Sequence, residues 1–273
     1  RRKGARPSMN TRKPPERAMH PIDKAILDER MSALRGHREA DEKAILAGFN
    51  EGEVEQWRKE NERKDAARDE EEQRRTAERV GRRIQAQLAG CHIPPKFSGA
   101  SFDTLHPVHN PKAFKACQRL AEEGRYDGRM GLILTGAPGN GKTALAIASL
   151  RRFVERTEGE DPASFWNVNH SLQTIRQSFD EDRRQEGSSI LDVCRASFIV
   201  LDDFDKVGRV TAWVEEQFYA LINGLYVEER RVIVTTNLSA RRLLEMLDDS
   251  LASRLMEMCT EVAMAPHDYR AAS

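Results

Sequence analysis

No run of apolar residues in this sequence is long enough to cross a bilayer, which sets aside the helical membrane proteins. The polar, basic start predicts no secretory leader. Cysteine is scarce: Cys91, Cys117, Cys194 and Cys259 stand far apart and form no C-x-x-C pair. That spacing argues against a zinc site and a disulfide framework, and it fits a reduced, cytoplasmic chain. Neither charge is in excess, since 44 basic residues balance 44 acidic ones. A global basic field that would draw in nucleic acid is therefore excluded, although a local basic surface is not. Aromatics make up only 6% of the chain while charged residues reach 32%, so part of it is expected to be solvated helix rather than core. The 273 residues suffice for one large domain and an appendage.

The appendage comes first. Residues 1–20 are basic and proline-bearing without periodicity, which predicts a disordered tail. Residues 21–90 read as an all-α region. Ile22, Ala25, Ile26, Met31 and Leu34 fall close to one helical face, and Ala44, Ile45, Leu46 and Phe49 form a second apolar cluster beyond Gly36. This pattern predicts a small helical hairpin whose apolar faces need a partner. From Glu51 to Leu88 charges dominate, with opposite signs four apart at Glu60–Lys64, Glu71–Arg75 and Glu78–Arg82. A long solvated helix ended by Gly90 follows, serving either as a spacer or as a docking element for another protein.

The second domain, residues 91–273, is organised around Gly136-Ala137-Pro138-Gly139-Asn140-Gly141-Lys142-Thr143. The stretch fits G-x-x-x-x-G-K-[ST], the phosphate-binding P-loop. Its flanks agree: Met130–Thr135 reads as a buried strand and Ala144–Leu150 as a helix. The glycines let backbone N–H groups turn inward around phosphate oxygens, and the helix N-terminus adds its partial positive charge. Lys142 brings a point charge for the outer phosphates, and the Thr143 hydroxyl is placed for Mg²⁺. Further on, the apolar strand Ala196–Leu201 ends in Asp202 and Asp203, the Walker B pattern. One carboxylate there holds Mg²⁺ through water, and the other orients the attacking water as a general base. After the long amphipathic helix Val210–Glu229, the strand from Arg231 to Thr236 ends in Asn237, where an amide can sense the γ-phosphate. Arg254 either pairs with Asp248-Asp249 or serves as an arginine finger for a neighbouring subunit.

In order, these elements form a specific set. They are Ile93-Pro94-Pro95-Lys96-Phe97 with Ser101-Phe102-Asp103, the P-loop, Leu201-Asp202-Asp203-Phe204, Trp213 with Glu216 and Tyr219, Thr235-Thr236-Asn237-Leu238, Ser253-Arg254-Leu255 and Asp268-Tyr269-Arg270. Residues of about 91–270 thereby resemble the AAA+ ATPases of the DnaC/DnaI helicase-loader and IstB group. The resemblance implies an α/β P-loop NTPase: a five-stranded parallel sheet, helices on both faces, no C-terminal lid domain and nucleotide at subunit interfaces. It implies ATP and Mg²⁺ as ligands. Gly136, Pro138, Gly139, Asn140, Gly141, Lys142 and Thr143 would surround the phosphates, and Thr143 and Asp202 would hold the metal. Asp203, Asn237 as sensor 1 and Arg254 as arginine finger would act in a slow hydrolysis used as a conformational switch.

By the same resemblance the helix near Ser171–Asp180 is a single-strand-contacting insertion, with Phe179 against a base or, equally, packed in the core. The implied partners are a replicative helicase hexamer, single-stranded DNA and further copies of the chain, with no membrane. Three features depart from the family: Cys91 stands without the cysteine cluster many relatives carry, Asp203 replaces their Glu, and residues 1–90 match no family motif. By position those residues are the helicase-docking part. The reading is thus an ATP-dependent bacterial or phage helicase loader. Its alternatives are an IstB-like transposition helper acting on duplex DNA, and an adaptor that binds nucleotide without hydrolysing it.

Overall fold

The computed structural model describes residues 51–173, 194–206 and 211–269. The expected helical hairpin at 22–49, Phe179 and Arg270 lie outside the described residues. In chain order the main elements are α1 (Glu51–Gly90), α2 (Pro111–Glu123), β1 (Gly131–Thr135), α3 (Lys142–Arg156) and β2 (Ala163–Asn167). They continue with β3 (Phe198–Asp202), α4 (Ala212–Val227), β4 (Arg231–Thr236), α5 (Ala240–Leu244), α6 (Asp249–Met258) and β5 (Cys259–Ala263). Among the described residues no helix is long and apolar enough to cross a membrane.

The strands form one parallel sheet in the order β2-β3-β4-β1-β5. β1 and β3 are buried along their whole length, as their unbroken apolar runs require in a sheet covered on both faces. Successive side chains go to opposite cores. Leu132, Leu134, Phe198, Val200 and Ile233 face one apolar cluster with α2 and α3. Ile133, Ile199, Leu201, Val232 and Val234 face the other, with Phe218, Leu221 and Leu225 of α4 and Leu255 of α6. This is the α/β architecture expected from the sequence, one parallel sheet with helices on both faces, and it sets the strand C-termini of β1, β3 and β4 side by side. The four thiols are free, and burial pushes Cys91, Cys117 and Cys259 up to about 12, so they stay protonated.

The chain divides into two compact units between Thr76 and Ala77, inside α1. In the first unit residues 62–76 are exposed helix, with ion pairs Lys64–Glu60 at 3.4 Å and Arg75–Glu71 at 2.6 Å at the spacing read from the sequence. Residues 77–90 are part of the second unit, whereas the change in composition falls near 91. Leu88 is buried in the α2–α3 core and Ile84 packs against it. Arg83 donates to the Glu158 carbonyl at 2.6 Å, and Gln87 to the Ala163 carbonyl at 3.4 Å. A chain beginning at Ala77 is therefore expected to keep the melting stability of the second unit. One beginning at Cys91 should lose about 2–5 kcal/mol in a denaturant titration, the cost of deleting large apolar groups from a packed core.

Candidate functional site

The P-loop leaves β1 at Thr135 and closes as the first turn of α3. All three of its glycines adopt backbone angles that side chains resist: Gly136 at φ 141°, Gly139 at φ 83° and Gly141, the N-cap of α3, at φ 90°. At Gly139 space is short as well, since a β-carbon there would run into the Asp268 carboxylate, whereas one on Gly141 would only make an ordinary 3.5 Å contact with the Tyr269 ring. The Tyr269 N–H donates to the Gly139 carbonyl at 3.1 Å. The Asp268-Tyr269 pair thus lies directly on the loop, and Tyr269 stands edge-on to His267, which stacks on His109 at 3.7 Å. Ala137 and Pro138 form the exposed crest of the loop.

Lys142 folds back beneath that crest. Its ammonium donates to the carbonyls of Gly136 at 2.7 Å and Ala137 at 2.9 Å and to Asn140 Oδ1 at 3.1 Å, so all three of its N–H groups are engaged. Burial holds its pKa below the ordinary lysine range, against the pull of Asp205, Asp203 and Asp202. Asn140 is fully buried, and its Nδ2 has no partner among the described residues.

Fifty-nine positions along the chain, Asp202 meets the loop. Thr143 Oγ1 donates to Asp202 Oδ1 at 2.7 Å, and Thr235 Oγ1 donates to the same oxygen at 2.8 Å. Burial raises the Asp202 pKa, and these two bonds oppose the rise. The Asp203 N–H donates to Thr235 Oγ1 at 3.0 Å, which joins the ends of β3 and β4. Asp203 has φ 55°, and its carboxylate pairs with Lys206 at 2.6 Å. Asn237, just past β4, donates from its backbone N–H to Asp205 Oδ1 at 2.9 Å and from Nδ2 to Asp205 Oδ2 at 3.3 Å.

The fold therefore brings Lys142, Thr143, Asp202, Asp203 and Asn237 to one end of the sheet. Arg254 is elsewhere in its contacts: Nη1 donates to Ser250 Oγ at 2.6 Å, and the guanidinium lies 5.6 Å from the Tyr219 ring centroid and 5.9 Å from that of Tyr226. Asp248 caps α6 through the N–H groups of Ser250 and Leu251. The sequence reading gave Asp205 and Lys206 no role and noted Thr235 only as part of the motif Thr235–Leu238. Asp205 and Lys206 carried a readable signal, since they follow the carboxylate pair within a single turn.

The family described as IstB-like ATP binding protein matches residues 61–272, more than half of the chain. The phage-like element PBSX protein XkdC of Bacillus subtilis (strain 168) is 22% identical over 191 residues, covering 66% of this chain and 69% of that protein. Among solved structures, the DnaC helicase loader is similar at TM-score 0.54 and 24% identity, over 63% of this chain and 100% of that one. DnaI is similar at TM-score 0.52 and 16% identity, over 65% of this chain and 94% of that one. At these identities the structural likeness is one of fold.

Proposed function

Because this chain belongs to the IstB-like ATP-binding family, we propose that it is an ATP-hydrolysing loader that places a replicative helicase on single-stranded DNA, of bacterial or phage origin. The observation that carries this reading is the bridge from Thr143 through Asp202 to Thr235, which ties the phosphate loop to two neighbouring strand ends. The fold it shares with DnaC and DnaI points to the client. Thr143 and Asp202 offer adjacent oxygen ligands of the kind Mg²⁺ takes, and the glycine loop with Lys142 suits a triphosphate. Bound there, the metal would neutralise charge on the outer phosphates. Thr143 and Asp202 would hold it, Lys142 would exchange one of its loop carbonyls for a phosphate oxygen, and Asp203 would accept the proton of the attacking water.

Asn237 reports the presence of the γ-phosphate, and Arg254 of a neighbouring copy completes the site. Turnover is slow, because the output is a change of conformation rather than product. On this reading the residues ahead of Ala77 dock the helicase, the second unit from Ala77 onward carries the ATPase, and the chain works in the cytoplasm as an assembly of several copies. Phe179 contacts the captured strand.

In a fluorescence-anisotropy titration, the full chain should bind single-stranded DNA about tenfold more tightly with ATP than without it, a coupling of ordinary allosteric size. The affinity should fall as salt rises, because phosphate contacts release counterions. Equal affinity with and without nucleotide would sink the loader reading. A second reading, a transposition helper, draws on the resemblance to the IstB group, and a preference for duplex over single strand in the same titration would select it. Tight ATP binding without phosphate release would select the adaptor.

A further inference from the structure

The carboxylate of Asp205 takes two bonds from one residue, the backbone N–H of Asn237 at 2.9 Å and its side-chain Nδ2 at 3.3 Å. An ionised carboxylate only accepts, so it forces the nitrogen end of the amide towards itself and excludes the flipped orientation. Burial alone would raise the Asp205 pKa. The bonds from the Asn237 backbone, the Thr236 hydroxyl and the Asn237 side chain outweigh it and keep the group ionised. The Thr236 hydroxyl also accepts the Leu238 N–H at 3.1 Å, so one carboxylate organises the whole turn after β4.

Asp205 is itself rigidly held. It lies in the one-turn helix Phe204–Lys206, whose Phe204 is buried and stacked on Phe218 with centroids 4.8 Å apart. Two residues earlier in the chain stands Asp203. The short turn therefore fixes the carboxylate at the end of β3 and the amide at the end of β4 to a single anchor. Asn237 is only half-buried, and one Nδ2 hydrogen remains for an outside acceptor.

We infer that Asp205 is a positioning residue for the hydrolytic step: it orients the Asn237 amide so that its second Nδ2 hydrogen faces the γ-phosphate. The inference rests on the ATPase reading above, and the test separates the two. In Asp205→Asn the side-chain oxygen still receives the Asn237 backbone N–H, so the turn is kept. Its amide nitrogen, however, faces the Asn237 side chain and favours the reversed amide. Hydrolysis by this variant should fall by up to about 100-fold in kcat, the cost typical of a misplaced catalytic group. ATP affinity and melting temperature should stay near those of the parent chain.

Asn237→Ala should lose a similar factor, and the double variant should lose no more than Asn237→Ala alone, because one residue acts through the other. If Asp205→Asn turned over at the parental rate, or if the two losses multiplied, the inference would be wrong while the ATPase reading stood. If the parent chain released no phosphate from ATP, the ATPase reading would fail and this inference with it.

Discussion

Lys142→Ala is expected to remove ATP binding to below detection. The reason goes beyond the loss of one charge. The ammonium draws the Gly136 and Ala137 carbonyls and Asn140 Oδ1 onto a single point, which holds the loop in its inward-facing form. Without it, three acceptors lose their donor, and the cradle keeps neither its shape nor its cation. Thermal melting distinguishes this from misfolding. For the parent chain, ATP at 100 times its dissociation constant should add about 2.7 kcal/mol of stability. In Lys142→Ala that increment should vanish, while the nucleotide-free protein still melts cooperatively, lowered by about 1–3 kcal/mol for the buried Asn140 acceptor left unpaired. A variant that retained the ATP-dependent stabilisation would show that this loop is not the nucleotide site.

The second large effect concerns Arg254. Its guanidinium rests between Tyr219 and Tyr226 and on Ser250, away from the residues gathered at the strand ends. On the proposed reading this arginine acts on a neighbouring copy. Arg254→Ala should lower kcat by about 10³-fold or more, the range measured for arginine fingers, with ATP affinity unchanged. The sharper result is complementation. The Arg254→Ala chain keeps an intact P-loop, and the Lys142→Ala chain keeps an intact arginine. Mixed, they should recover a measurable part of the activity that each lacks alone. Co-assembly without recovery would mean that each chain completes its own site.

The two variants also divide what the sequence makes legible from what it hides. The phosphate loop is readable because it is local: a buried strand, a glycine turn and a helix must follow one another without interruption, and Gly136–Thr143 with its flanks displays all three. The strands were legible for a related reason. Fully covered parallel strands need continuous apolar runs, and Leu132–Leu134, Phe198–Leu201 and Val232–Val234 have them. The charged stretch of α1 was readable as helix from its four-residue charge spacing. Its last turns escaped, because Ile84 and Leu88 are too few to signal burial until the surface they cover is present.

The sequence by itself determined the class of the fold, the loop that faces phosphate and the two carboxylates at the end of β3, since each depends on neighbours within a few residues. Only the tertiary structure decided the connections between them. Thr143 and Asp202 are 59 positions apart, Asp205 and Asn237 are 32 apart, and Asp268-Tyr269 reaches Gly139 from the far end of the domain. Parallel strands in the order β2-β3-β4-β1-β5 bring their C-terminal ends together whatever their separation in sequence. A hydrogen bond selects for distance and direction, which no spacing along the chain encodes. That is why Asp205, an unremarked acid in the sequence, becomes the partner of Asn237 in the fold.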